Sequence, residues 1–225
     1  MVGLQILQRT RQVPARLVQA YNGLPVANIS DCMTRMTAGG ARLRPMHKGG
    51  YLVGPALTVK CRPGDNLMIH KALTMAQPGD VIVVDAGGDL TNSLFGELMV
   101  TTAISRKVAG VVLNGAVRDS EMIAAGHFPL YAAGITHRGP YKDGPGEINV
   151  PIAIDGMVIH AGDLMVGDAD GLLCIPQDDA EEILAAVHRK MEAEKKTLAD
   201  IAAGTLDTSW IDVTLKRIGA DPTPR

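Results

Sequence analysis

VIVVDAGGDLTNSLFGELMVTTAISRKVAGVVLN, residues 81–114, reads as strand, helix and strand. Val81–Asp85 is a β-branched run without polar alternation, the pattern of a strand buried on both faces. A helix is predicted from about Leu94 to Lys107, and Gly110–Asn114 reads as a second buried strand. Two buried strands joined by a helix make a βαβ unit, so this part of the sheet is predicted to be parallel. The loops at its strand ends are then the places to look for chemistry.

Working towards the N-terminus, Tyr51 to Arg62 reads as extended, and Asp65 is predicted to cap a helix reaching about Ala76. Leu4, Ile6 and Leu7, then Leu17, Val18 and Tyr21, suggest two short helical pieces divided near Pro14 and closed by Asn22 and Gly23. Another short helix is predicted from Ile29 to Met36, ended by Gly39 and Gly40. Towards the C-terminus, Val150 to Pro176 breaks into short apolar segments punctuated by glycines, the pattern of a β-meander. Asp178 followed by Glu181 resembles a capping box and opens a helix to Ala203. Ile183, Leu184 and Val187 give that helix one apolar stripe, whereas Met191 to Lys196 is mostly charged and is expected to project. Ser209 is read as the cap of a last helix through Ile218, and Asp221 to Arg225 as a frayed tail. The expected division is an α/β domain with N-terminal helices over 1–177 and a helical extension over 178–225.

Composition narrows the function classes. A net charge of −2, with two Phe, four Tyr and one Trp, supplies neither the basic surface nor the stacking platform of a nucleic-acid binder. No apolar run approaches the roughly 18 residues of a membrane span, and Arg9, Arg11 and Arg16 interrupt any signal-peptide core. Cys32, Cys61 and Cys174 are dispersed and odd in number, which suits small buried side chains in a reducing, cytoplasmic setting. The six histidines lack HxH or HExxH spacing, so zinc is not expected, and His70, beside Leu67 and Leu73, is read as packing on a helix. Asp163, Asp168 and Asp170 do not match an EF-hand loop and are read as turn residues.

Two loops carry the candidate chemistry. In GGDLTNSLFGELM, residues 87–99, the backbone N–H groups of Gly96, Glu97, Leu98 and Met99 are candidates for an unsatisfied helix start. Free donors and the helix dipole together favour a carboxylate there. In NGAVRDS, residues 114–120, Arg118 offers a planar fork to a carboxylate or a developing enolate, and Asp119 offers a hard oxygen to Mg2+ or Mn2+. Taken alone, such an Arg–Asp pair is more often a surface ion pair.

GELM (96–99), GVVLNGAVRD (110–119) and DGMVIHAGDLMVGDADGLLCIP (155–176) resemble the RraA-like family, whose enzymes include 4-hydroxy-4-methyl-2-oxoglutarate aldolase, also active as 4-carboxy-4-hydroxy-2-oxoadipate aldolase. NISDCMTRM (28–36) and VGPALTVKCRPGDN (53–66) resemble its N-terminal part, so the likeness covers roughly residues 25 to 205. The resemblance implies an α/β fold, a swivelling β/β/α sandwich with a C-terminal helical extension, in a homotrimer or homohexamer with sites between subunits. It implies that Arg118 holds the 2-oxo acid and its enolate, that Asp119 binds a divalent metal cation, and that the backbone of Gly96, Glu97, Leu98 and Met99 takes the substrate carboxylate. Glu97 would reach the metal through water, and Glu194 resembles an acidic residue sent into a neighbouring subunit's site. The implied activity is a metal-dependent carbon–carbon lyase releasing pyruvate, with oxaloacetate decarboxylation on the side. Asn114 stands where the family commonly has Asp, removing a negative charge expected to lie near the metal.

Three other activities compete with this one. A Schiff-base aldolase would use Lys60, Lys71 or Lys107, none marked as desolvated by its neighbours. The same family includes a regulator that binds an RNA-degrading endonuclease without catalysis, and the shorter regulators lack a C-terminal extension of this kind. A methyltransferase lacks support, because GGDLTNSLFG is no GxGxxG and no dinucleotide fingerprint follows Val81–Asp85.

Overall fold

A computed structural model describes residues 2–35 and 41–220 of the chain. Its first half runs β1 (Leu4–Ile6), α1 (Ala15–Tyr21), α2 (Val26–Cys32), β2 (Arg44–Pro45), β3 (Leu52–Cys61), α3 (Leu67–Met75), β4 (Val81–Asp85), β5 (Ser93–Phe95) and α4 (Glu97–Ser105). The second half runs β6 (Gly110–Val117), α5 (Ser120–Ala125), β7 (Leu130–Ile135), β8 (Gly146–Ile148), β9 (Ile152–Ile154), β10 (Met157–Ile159), β11 (Leu164–Gly167), β12 (Leu172–Ile175), α6 (Ala180–Ala203) and α7 (Ser209–Arg217).

The predicted βαβ unit is the centre of the sheet. β4 pairs in parallel with β6 from Val81↔Gly110 to Asp85↔Asn114, and β3 and β7 continue the parallel pairing on either side. Strand order along the main path is β1-β8-β3-β4-β6-β7-β2, with β11 added to β3 and β5 to β6. Side chains alternate across a strand, and here each face has its own core. Ile82, Val84, Val111 and Leu113 pack with Met68, Ile69 and Leu73 of α3, Val100 and Ala103 of α4, and Ile123 of α5. Val81, Val83 and Val112 pack instead with Ile152 and Ile154 of β9, Met157 and Ile159 of β10, and Met165 and Cys174 of the β11–β12 hairpin. Helices on one face and β-hairpins on the other give the β/β/α sandwich.

Several elements depart from the predicted ones. Leu4, Ile6 and Leu7 do not begin a helix: Leu4–Ile6 is a strand paired in parallel with Gly146–Ile148. The helix predicted from Leu94 is preceded by a strand over Ser93–Phe95 and starts at Glu97. The expected meander is two antiparallel hairpins in different sheets, β9–β10 by itself and β11–β12 joined to β3. The helix predicted through Met36 is seen as Val26–Cys32; Met36, Gly39 and Gly40, like the tail from Asp221, lie outside the described residues.

The chain divides into units Met1–Ala185 and Ala186–Arg225. In the second, Glu192 to Lys196 are exposed, as expected of the charged stretch, and so are Leu198, Ile201, Trp210, Val213 and Ile218. No helix among the described residues is long and apolar enough to cross a membrane.

Candidate active site

β5 delivers the chain to Gly96, whose extended backbone (φ −153°, ψ −170°) is the N-cap of α4. Glycine has no side chain to cap a helix, and the cap arrives from the next loop: the Glu97 N–H donates to Asp119 Oδ2 at 2.9 Å. A Cβ on residue 96 would lie 2.5 Å from that same Oδ2 and 3.0 Å from Arg118 Cγ, so only glycine lets the two loops meet. Asp119 adopts left-handed backbone (φ 56°, ψ 39°), a conformation that Asp tolerates better than most residues. The Arg118 N–H donates to the Phe95 carbonyl at 3.0 Å, tying the end of β6 to the strand before α4. Arg118 Nε stands 3.8 Å from Asp119 Oδ2, and both side chains are about half exposed. At that exposure the ion pair adds little stability and leaves both groups available.

Phe95, Gly96, Arg118 and Asp119 line a cavity of about 160 Å³ with Asn66, His70, Ser93, Leu98, Met99, Pro140 and Lys142, whereas the Glu97 side chain is exposed and does not line it. Of the four backbone donors predicted at the helix start, two are used within the protein: Glu97 N–H by Asp119, and Met99 N–H by the Gly96 carbonyl at 3.0 Å. The N–H groups of Gly96 and Leu98 have no protein acceptor among the described residues and are the two left for an anion.

The roof of the cavity is the segment 138–145, pinned at several points. Ser93 donates through N–H and Oγ to the Arg138 carbonyl at 2.8 and 3.0 Å, and Asn92 Nδ2 to the Gly139 carbonyl at 2.5 Å. The Tyr141 N–H donates to the Gly64 carbonyl, and the Asn66 N–H to the Tyr141 carbonyl. Asp65, buried at the start of α3, accepts Leu67 N–H on Oδ1 and Asp143 N–H and Gly144 N–H on Oδ2, at 2.9, 2.7 and 2.9 Å. Burial pushes the Asp65 carboxyl up, but those three amides and the Arg62 guanidinium outweigh it and hold it below its ordinary value.

Asn66, His70 and Lys142 escaped the sequence reading. His70 does sit on a helix, as predicted, yet it also lines the cavity; burial and the Lys142 ammonium lower its pKa. Asn114 does not line this cavity: it is buried, donates through Nδ2 to Asp85 Oδ1 at 3.0 Å and accepts from Arg42 Nη2 at 2.9 Å. Lys60, Lys71 and Lys107 are exposed. Glu194 belongs to the second unit, where it pairs with Lys190 at 2.9 Å. Asp163 and Asp168 accept backbone N–H groups, those of His160 and Asp170 within their own turns and those of Gln177 and Val26 from farther along the chain.

A larger cavity, about 600 Å³, lies between the N-terminal arm and the β9–β10 hairpin. Its cations are committed to partners, Arg9 to Asp80 at 2.8 Å and Arg11 to Asp178, so it offers less to an anion than the smaller one.

The Aldolase/RraA family model, RraA-like, matches residues 26–174. The chain belongs to the RraA-like family. A provisionally named 4-hydroxy-4-methyl-2-oxoglutarate aldolase of Halalkalibacterium halodurans is 38% identical over 84% of this chain and 91% of its own length. A 4-hydroxy-4-methyl-2-oxoglutarate aldolase of Thermus thermophilus is 36% identical over 50% of this chain and 69% of its own. Among solved structures, the RNA-processing inhibitor RraA from Thermus thermophilus superposes with a TM-score of 0.63 at 30% identity, covering 68% of this chain and 92% of that one. RraA-like proteins thus include chains named as enzymes and chains named as inhibitors, and the match spans both Gly96–Met99 and Arg118–Asp119.

Proposed function

We propose that this chain is a divalent-metal-dependent aldolase that cleaves 4-hydroxy-2-oxo acids, such as 4-hydroxy-4-methyl-2-oxoglutarate or 4-carboxy-4-hydroxy-2-oxoadipate, and releases pyruvate. The observation that carries this reading is the shared cavity: Arg118, Asp119 and the start of α4 face one space sized for a small acid. The substrate carboxylate takes the Gly96 and Leu98 N–H groups, and the Arg118 guanidinium meets the 2-oxo oxygen. When the C3–C4 bond breaks, negative charge collects on that oxygen, where Arg118 is already placed to answer it. The 4-hydroxyl proton passes to a base, for which Glu97 and a Glu194 contributed by a second copy in a trimer or hexamer are the carboxylates the family resemblance supplies. Oxaloacetate yields the same enolate on decarboxylation, so that side activity is expected.

Among the described residues no cluster of three or more His, Cys, Asp or Glu side chains forms a metal cage. Asp119 still fits a hydrated Mg2+ or Mn2+: Oδ2 takes the Glu97 amide, and one carboxylate with waters and substrate oxygens is a common way to hold Mg2+. Bound there, the cation would supply Lewis-acid stabilisation of charge on oxygen.

The test is a panel of 4-hydroxy-2-oxo acids assayed for pyruvate release with EDTA and after restoring Mg2+ or Mn2+, beside Arg118→Ala. Removal of one charge-stabilising donor costs ~10²–10³ in turnover, so the variant should be nearly inactive while folded. More than a tenth of wild-type turnover in that variant, or activity indifferent to EDTA, overturns the reading. Borohydride trapping of pyruvate on the protein would favour a Schiff base instead. The likeness to an RNA-processing inhibitor favours one other reading, a non-catalytic regulator of an RNA-degrading endonuclease; inhibition of such a nuclease without pyruvate release would establish it.

A further inference from the structure

One residue of the cavity wall carries a buried side-chain oxygen with a bond to make and no partner among the described residues. Asn66 is 3% exposed and lines the cavity with Arg118 and Asp119. Its Nδ2 donates to the Leu94 carbonyl at 3.0 Å and to Met99 Sδ at 3.5 Å. Turning the amide over would set Oδ1 against the Leu94 carbonyl oxygen, so those contacts fix Oδ1 as the acceptor facing away from them. That Oδ1 is shut off from bulk solvent and has no hydrogen-bond partner among the described residues. Buried polar groups are almost always paired, and an unpaired one in a cleft calls for a missing partner. The partner must be a donor, which excludes an ionised carboxylate and any carbonyl group. Of the other groups at the cavity, the Arg118 guanidinium and the free amides of α4 are donors and take the anionic half of a ligand, whereas Asp119 is the acceptor assigned above to the metal.

We infer that Asn66 Oδ1 accepts a hydrogen bond from the 4-hydroxyl of the substrate and makes the site selective for 4-hydroxy acids over 2-oxo acids lacking that hydroxyl. The inference rests on the aldolase reading above. Small shifts of the cavity wall open Oδ1 to the hydroxyl on binding; the bond replaces an unmet acceptor, so an analogue without the hydroxyl leaves a buried oxygen unpaired. Sites built to hydrogen-bond a hydroxyl reject the analogue lacking it far more strongly than apolar pockets reject a missing methylene.

Asn66→Leu, close in volume, removes the acceptor together with the Nδ2 bond to the Leu94 carbonyl, a loss common to both reactions of the active site, so their ratio reports the acceptor. Cleavage of 4-hydroxy-2-oxo acids should lose at least ~10-fold in kcat/KM. Decarboxylation of oxaloacetate, which has no 4-hydroxyl, and inhibition by oxalate, which fills only the Arg118 end, should stay within about threefold. A merely structural role for Asn66 lowers all three together, and that outcome overturns the inference, as does an unchanged ratio. A second measurement needs no variant: on the wild-type protein, the 4-deoxy analogue of a cleaved acid should inhibit with a constant at least ~10-fold above the KM of its hydroxylated parent. Equal values overturn the inference while leaving the aldolase reading standing. A wild-type protein that cleaves none of the acids overturns the aldolase reading and this inference with it.

Discussion

Two aspartates frame the cavity and are used in opposite ways. Asp65 is 1% exposed and its oxygens accept three backbone N–H groups and the Arg62 guanidinium at 3.2 Å. Asp119 is 41% exposed, caps α4 with one oxygen and stands beside Arg118. A carboxylate saturated by amides fixes backbone and has nothing left for a ligand. One that is half exposed keeps lone pairs to offer, and its single amide contact aims it. The contrast separates the residue that builds the site from the residue that acts in it, and substitution at each should give opposite balances of lost activity and lost stability.

The largest effect is expected at Asp119. Asp119→Asn keeps an oxygen for the Glu97 N–H but loses the charge that a divalent cation needs, so pyruvate release should fall by ~10² or more, in line with removal of a key charge-stabilising group. The melting temperature should move by no more than a few degrees, because an exposed cap contributes about 1 kcal/mol and ~2–4 °C per kcal/mol is usual for a chain of this size. An active variant, or one that melts far below wild type, would erase the distinction between the two aspartates.

Asp65→Asn should show the reverse balance. The amide points N–H groups at some of the N–H groups the carboxylate now accepts, which costs about 2–3 kcal/mol and lowers the melting temperature by roughly 5–10 °C. Activity should fall less than at Asp119, through loosening of the 138–145 roof. The pH dependence carries a sign. The folded pKa of Asp65 is depressed, so its contribution is fully present above the unfolded carboxylate value, ~3.9, and is lost as pH falls through the folded value. Thermal melts of wild type and variant should therefore converge as the pH is taken below about 4. Parallel curves across that range would show that Asp65 holds the roof by shape and not by charge.

The centre of the fold was legible in the sequence because its signals are local. Val81–Asp85 is a β-branched run, and Gly110–Asn114, the strand read from the sequence, is the first part of the observed Gly110–Val117. The pairing of Gly96 with Asp119 was legible only in part: the motif named both loops, whereas the capping bond between them depends on how β5 and β6 align. What escaped depends on partners far along the chain. Leu4, Ile6 and Leu7 suit a helix or a strand equally well, and the choice is made by Gly146–Ile148, more than 140 residues away. The segment 138–145, RGPYKDGP, has no helical or strand periodicity, and its role as a roof comes from Asp65, 78 residues before Asp143. Asn66 and His70 stand one helical turn apart at the start of α3, a spacing visible in the sequence, but Lys142 joins them only because that roof folds over α3.

The smallest effect is expected at Asn114, where the sequence and the structure assign different surroundings. A family that commonly has Asp at this position suggested a charge beside the metal. The structure instead puts Asn114 between Asp85 and Arg42, with Arg42 continuing to Asp155 at 3.0 Å. An aspartate there would keep Arg42 as a partner but set a buried carboxylate against Asp85 Oδ1, where Asn114 Nδ2 now donates, so it should cost about 1–3 kcal/mol of stability. It would sit outside the set of side chains lining the Arg118–Asp119 cavity. Asn114→Asp should accordingly shift the Mg2+ or Mn2+ concentration for half-maximal activity by less than about threefold, since Asn114 does not line the cavity and Arg42, 2.9 Å from its side chain, would neutralise a charge there. A tenfold gain in metal affinity would mean that the end of β6 reaches the metal electrostatically, and would return Asn114 to the active site as a tuning residue.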